Sequence, residues 1–124
     1  LTKNFTLQEF QSKDGAATPE ELIPNIVKLA GNLQVIRNAI GCSLHINSAY
    51  RSPEHNESIG GVKNSQHTLG KAADIASRNH TPKELYFIIS NLIAAGKLDI
   101  KGMGLYKSFV HVDIRDTYAR WDKS

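Results

Sequence analysis

The sequence predicts an α+β fold in which a small, mostly antiparallel sheet carries the functional residues and two longer helices pack behind it. Three observations lead there. Residues 19–40 and 82–96 repeat apolar side chains at the helical period, four short segments read as strands, and a tight connection at Lys107-Ser108 joins the last two strands as a hairpin.

In chain order, Thr6 and Glu9 stand at capping-box spacing and Phe5 and Phe10 at hydrophobic-staple spacing, so a short helix begins there. Residues 12–19 are loop, punctuated by Gly15 and Pro19. From Pro19 to Ile40, Ile23, Ile26, Val27, Ala30, Leu33, Val35, Ile36, Ala39 and Ile40 follow a helical period that gives one buried stripe, and Gly41 ends the helix. Pro24 suits only a first turn, so the regular part starts near it. Residues 43–50 alternate Leu44, Ile46 and Ser48 against His45, Asn47 and Ala49, a strand that delivers Arg51 to its end. Ser52-Pro53 then caps a short helix closed by Gly60-Gly61, and residues 60–71 form a loop. A strand follows from Ala72. Thr81-Pro82-Lys83-Glu84 repeats the cap, proline and glutamate logic for the second long helix. Residues 103–106 and 109–115 are the hairpin strands.

A chain of 124 residues supports one core, so residues 1–124 form a single domain. Its 40% hydrophobic and 22% charged content belongs to an ordinary globular protein and excludes disorder. No segment reaches the ~20 apolar residues of a membrane span; the longest apolar stretch, residues 85–95, is broken by Ser90 and Asn91. Cys42 is alone, so no internal disulfide forms. The net charge of +3 is spread along the chain, which does not indicate nucleic acid. With no apolar surface stripe evident, a monomer is the default. The chain begins at Leu1, and we expect that a start residue, a leader or a longer segment has been removed.

The functional residues centre on Ser65-Gln66-His67-Thr68-Leu69-Gly70-Lys71-Ala72-Ala73-Asp74. His67 and Asp74 reach one metal ion only if the chain between them curls back, and Gly70 stands where that turn is tightest. Strand alternation places Asp74 beside the methyl groups of Ala72 and Ala76. A third ligand comes from residues 109–115, where Phe109, His111 and Asp113 share one face and Val110, Val112 and Ile114 the other. Two His, one Asp and an open position make a catalytic zinc set.

The pattern Ser-x-His-x-x-Gly-x-Ala-x-Asp, followed at a distance by His111-Val112-Asp113, resembles the signature of the zinc D-Ala-D-Ala carboxypeptidase family, which also contains D,L-endopeptidases and phage endolysins acting on peptidoglycan. Asn47-Ser48-Ala49-Tyr50-Arg51-Ser52 is similar to that family's strand ending in arginine, and Ala119-Arg120-Trp121 to the tail after its last ligand. The resemblance implies one zinc ion held by His67, Asp74 and His111, with Arg51 beside the substrate. It also implies peptidoglycan peptides as partners and either a cell-envelope location or a phage-encoded lytic role.

Arg51 is expected to hold a terminal carboxylate or to steady a developing oxyanion. Tyr50 and Trp121 are candidates to line the substrate cleft, with a place in the core as the equal alternative for each, and Ser65 is a candidate to support the loop there. Relatives place a general base, glutamate or histidine, three or two residues before the last histidine, positions held here by Ser108 and Phe109. Asp113 is then the candidate base, with an orienting role toward His111 as its alternative. The leading expectation is a zinc peptidase cutting bonds that involve D-amino acids, as carboxypeptidase or endopeptidase. A non-catalytic zinc-containing recognition module is the second, and a purely structural zinc protein the third.

Overall fold

The computed structural model describes residues 1–124. Its helices are α1 (Ile23–Ile40), α2 (Pro53–Ser58) and α3 (Pro82–Ala94), and its strands are β1 (His45–Ser48), β2 (Ala72–Ala76), β3 (Gly102–Tyr106), β4 (Val110–Asp113) and β5 (Ala119–Lys123). Three short 3-10 turns, Leu7–Phe10, Glu20–Leu22 and Gln66–Leu69, complete the regular structure. None of the helices is long and apolar enough to cross a membrane.

The local signals act where expected. Pro24 falls in the first turn of α1, whose residues Ile26, Leu29, Ala30, Leu33 and Ile36 are all buried. At α3, Glu84 N–H donates to Thr81 Oγ1 and Thr81 N–H donates to Glu84 Oε1, a closed capping box. Phe5 and Phe10 meet edge to face with ring centroids 6.4 Å apart, which staples the N-terminal segment to the core.

The strands form one sheet in the order β1-β2-β4-β3-β5. The first three pairings are antiparallel, while β5 runs parallel to β3. That parallel strand was not expected from the sequence. The first strand is also shorter than residues 43–50, because after Ser48 the chain leaves β2 and Tyr50 N–H donates instead to the carbonyl of Phe10.

Alternation divides the sheet into two chemical faces. Ile46, Ala73, Ile75, Met103, Leu105, Val110 and Val112 join α1 and α3 in the hydrophobic core. On the other face, register aligns Ser48, Asp74, His111, Gly104 and Trp121 in one row across all five strands. A second row aligns Ala72, Asp113, Gly102 and Ala119. The polar row is thus fixed by the same pairings that bury the apolar one.

Candidate metal centre

His67 reaches the sheet from the 3-10 turn Gln66–Leu69. Ser65 caps that turn by accepting the His67 N–H at 3.1 Å, and the chain then reverses through Gly70 at φ 69°. A non-glycine residue there would be strained in the left-handed region and would also press on Ile26 and Leu22 of the helix layer. The reversal brings Asp74 of β2 under His67, and the β2/β4 register sets His111 directly opposite Asp74.

Each imidazole is held by the ring nitrogen that points away from Asp74. His67 Nδ1 lies 2.6 Å from the carbonyl of Ala49, a group that can only accept, so the proton resides on Nδ1 and Nε2 keeps its lone pair. His111 Nε2 lies 2.8 Å from Asp113 Oδ2, which leaves Nδ1 to face the cleft. The free nitrogens converge on one atom, with His67 Nε2 3.3 Å and His111 Nδ1 3.0 Å from Asp74 Oδ1. Tetrahedral ligands about 2.0–2.1 Å from a zinc ion stand about 3.3 Å apart, so this spacing fits such an ion. All three ligand atoms lie within 4.8 Å of one another and all three residues are buried. Two lone pairs aimed at a carboxylate oxygen repel unless a cation or proton lies between them, and the donor set therefore suits a metal.

Electrostatics keeps the acids ionised. Without an ion the imidazoles can take a second proton instead: burial works to neutralise Asp74, but hydrogen bonds from the protonated rings of His111 and His67 outweigh it and hold its pKa well below the ordinary carboxylate value. In that metal-free state burial disfavours the His111 cation, yet the hydrogen bonds to Asp113 and Asp74 win and raise its pKa, so a proton occupies the place a metal ion would take.

Around this centre lies a cleft of ≈ 510 Å³. One wall is the 60–66 loop and the other is formed by Tyr106, Phe109, Arg115, Trp121 and Lys123. Trp121 packs its ring 5.1 Å from that of His111 and donates from Nε1 to Tyr106 Oη at 2.9 Å. It fits because Gly104 lies between His111 and Trp121 in the row, and a Cβ there would collide with the indole. Gly102 clears the same kind of space for the Asp113 carboxylate.

The remaining expected site residues divide. Ser65 and Trp121 line the cleft. Tyr50 does not: its side chain is 4% exposed and packs in the core, held there by the backbone bond to Phe10. Arg51 lines the cleft, but each of its nitrogens has a protein partner, Ser48 Oγ, Asn56 Oδ1 and Asp74 Oδ2 at 3.2, 3.3 and 3.2 Å. Asp113 is 0% exposed and sits behind His111 rather than in the cleft. Arg115 grips it through Nε at 2.8 Å and Nη2 at 2.7 Å. Of the two roles expected for Asp113, general base and orienting group, that enclosure away from the cleft favours the orienting one.

Arg115, Asn56, Gly102 and Gly104 were missed by sequence reasoning. The Gly-x-Gly spacing inside a strand was the available signal for a close approach. Arg115, two residues beyond Asp113 on the same alternation, was the other.

A family model described as Peptidase M15 matches residues 2–113, a span that holds all three candidate ligands and ends before Arg115, Trp121 and Lys123. No curated protein matches the chain at a significant level.

Proposed function

This chain belongs to the Peptidase M15 family of metallopeptidases, and from that premise we propose that it is a zinc peptidase that hydrolyses bonds involving D-amino acids in the stem peptides or cross-links of peptidoglycan. The observation that carries this reading is the convergence of two tautomer-fixed imidazoles on the Asp74 carboxylate at the floor of an open cleft. His67 Nε2, Asp74 Oδ1 and His111 Nδ1 would hold the ion. Zinc at that position would supply Lewis acidity, polarising a scissile carbonyl and lowering the pKa of water to roughly 7.

The chain's own groups do the rest. Ala49 and Asp113 keep the two imidazoles in the tautomers that present lone pairs inward. Arg51 holds the second oxygen of Asp74 at the edge of the cleft, where its fixed positive charge would steady negative charge developing on the substrate without leaving its protein partners. Trp121, Tyr106 and Phe109 form an aromatic wall against which a peptide can lie. A peptidoglycan substrate would suit a protein of the cell envelope or a phage-encoded lytic protein.

One observation favours a second reading, a recognition module that binds wall peptides without cutting them. Asp74 is the one carboxylate lining the cleft, so no second acid stands ready as a base. Incubating zinc-loaded protein with purified peptidoglycan and with defined D-Ala-terminated peptides, followed by mass analysis, separates the two. Release of D-alanine supports carboxypeptidase action, and cleavage of intact sacculi alone supports endopeptidase action. Bound but unchanged peptide after long incubation would transfer the assignment to the recognition module.

A further inference from the structure

We propose that Arg115 and Lys123 form a carboxylate-binding subsite on the Trp121 side of the cleft, so that the protein selects peptides carrying a free carboxylate close to the bond presented at the metal centre. The proposal rests on the peptide-substrate reading above and adds the group by which the peptide is held.

Three features of the two arginines and the lysine assign the subsite. Arg51 has every nitrogen engaged within the protein, and its partner Asp74 is itself a candidate ligand, so drawing it to a substrate carboxylate would loosen the centre. Arg115 is engaged differently. Asp113 takes Nε and Nη2, which fixes the guanidinium plane, and the cation lies 5.2 Å from the Trp121 ring centroid. Nη1 makes no hydrogen bond within the protein, although Arg115 lines the cleft. It is an oriented donor whose ordering cost is already met by folding.

Lys123 supplies the charge. Asp113 offsets the charge of Arg115, whereas Lys123 takes part in no ion pair. Alternation along β5 sets Lys123 on the face of Trp121 and turns Asp122 to the other side, where it is occupied by Ser124. A planar donor and a mobile point charge on one wall match the two oxygens of a carboxylate. The wall is close to the centre, since one oxygen, Asp113 Oδ2, touches both His111 Nε2 at 2.8 Å and Arg115 Nη2 at 2.7 Å.

In a stem peptide the carboxylate can be the terminal D-alanine group or the α-carboxylate of γ-linked D-glutamate. The test is calorimetric titration of zinc-loaded protein with L-Ala-γ-D-Glu-L-Lys-D-Ala as the free acid, with the terminus amidated, with the glutamate α-carboxylate amidated, and with both amidated. Mass spectrometry checks that the peptide stays intact, and where turnover occurs kcat/KM of the same four peptides is the readout. One of the single amidations is expected to weaken binding about tenfold, the scale of a charged hydrogen bond, and shows which carboxylate is held. Lys123→Glu, an exposed position, is expected to erase that difference, and Arg115→Lys to reduce it, while Arg51→Lys keeps it. Circular dichroism confirms the fold of each variant. Equal affinity for all four peptides would overturn the proposal, as would discrimination that survives both Lys123→Glu and Arg115→Lys, or that disappears only with Arg51→Lys. Because affinity is read directly, a protein that binds with this preference but never cuts refutes the peptidase reading and leaves the subsite standing.

Discussion

His111 has a carboxylate oxygen at each ring nitrogen, and the hydrogen bond at Nε2 decides what Nδ1 can do. Asp113 accepts the Nε2 proton while its own oxygens are locked by Arg115, so the imidazole is held in one tautomer and one orientation. Asp113→Asn removes the charge and the paired contact with Arg115 but keeps the volume. Zinc affinity, measured by competition with a chelator, should fall roughly 10- to 100-fold. A general base would give the opposite split, unchanged metal affinity with a lower kcat. The candidate ligands were legible in the sequence because the His67–Asp74 spacing and the alternation around His111 are local rules. For Tyr50 the sequence left cleft and core equally open, because the choice turns on a long-range bond to Phe10 that no local pattern announces.

At the scale of elements, β3 matters for what it lacks. Its glycines at 102 and 104 face the site, while Met103 and Leu105 face the core, so one strand packs the interior and leaves room above it for Asp113 and Trp121. Gly104→Ala should therefore destabilise the protein by about 1–3 kcal/mol in urea unfolding, the usual cost of overpacking. It should also displace Trp121, and because that is the only tryptophan its fluorescence reports the movement directly. Gly31→Ala in α1 has the opposite expectation, a gain of about 0.5–1 kcal/mol, because its Cβ meets open space in a helix interior. The helices were readable from caps and periodicity. The sequence Ala119-Arg120-Trp121-Asp122-Lys123 gives no sign of β5, whose place depends on pairing with β3 rather than on an apolar alternation of its own.

For the whole molecule, the α+β class followed from periodicity, but the strand order did not, because pairings such as β2 with β4 join segments about forty residues apart. That same order makes the metal centre a cross-link. His67 comes from the turn after α2, Asp74 from β2 and His111 from β4, so an ion bound by all three ties the 60–71 loop to the middle of the sheet. The unfolded chain holds no such arrangement, and binding free energy becomes folding free energy. At free zinc a thousandfold above Kd the gain is about 4 kcal/mol, which for a domain of this size raises Tm by roughly 10–20 °C. Thermal melts in zinc and in a chelator should show that interval for the native chain, whereas Asp74→Asn should melt at nearly the same temperature in both. The loop wall of the cleft should respond most, with backbone amides of residues 60–71 exchanging faster after chelation while those of α1 change little. A melt insensitive to zinc, with the loop amides unaltered, would mean that the three side chains do not share an ion, and the peptidase assignment would lose its physical basis.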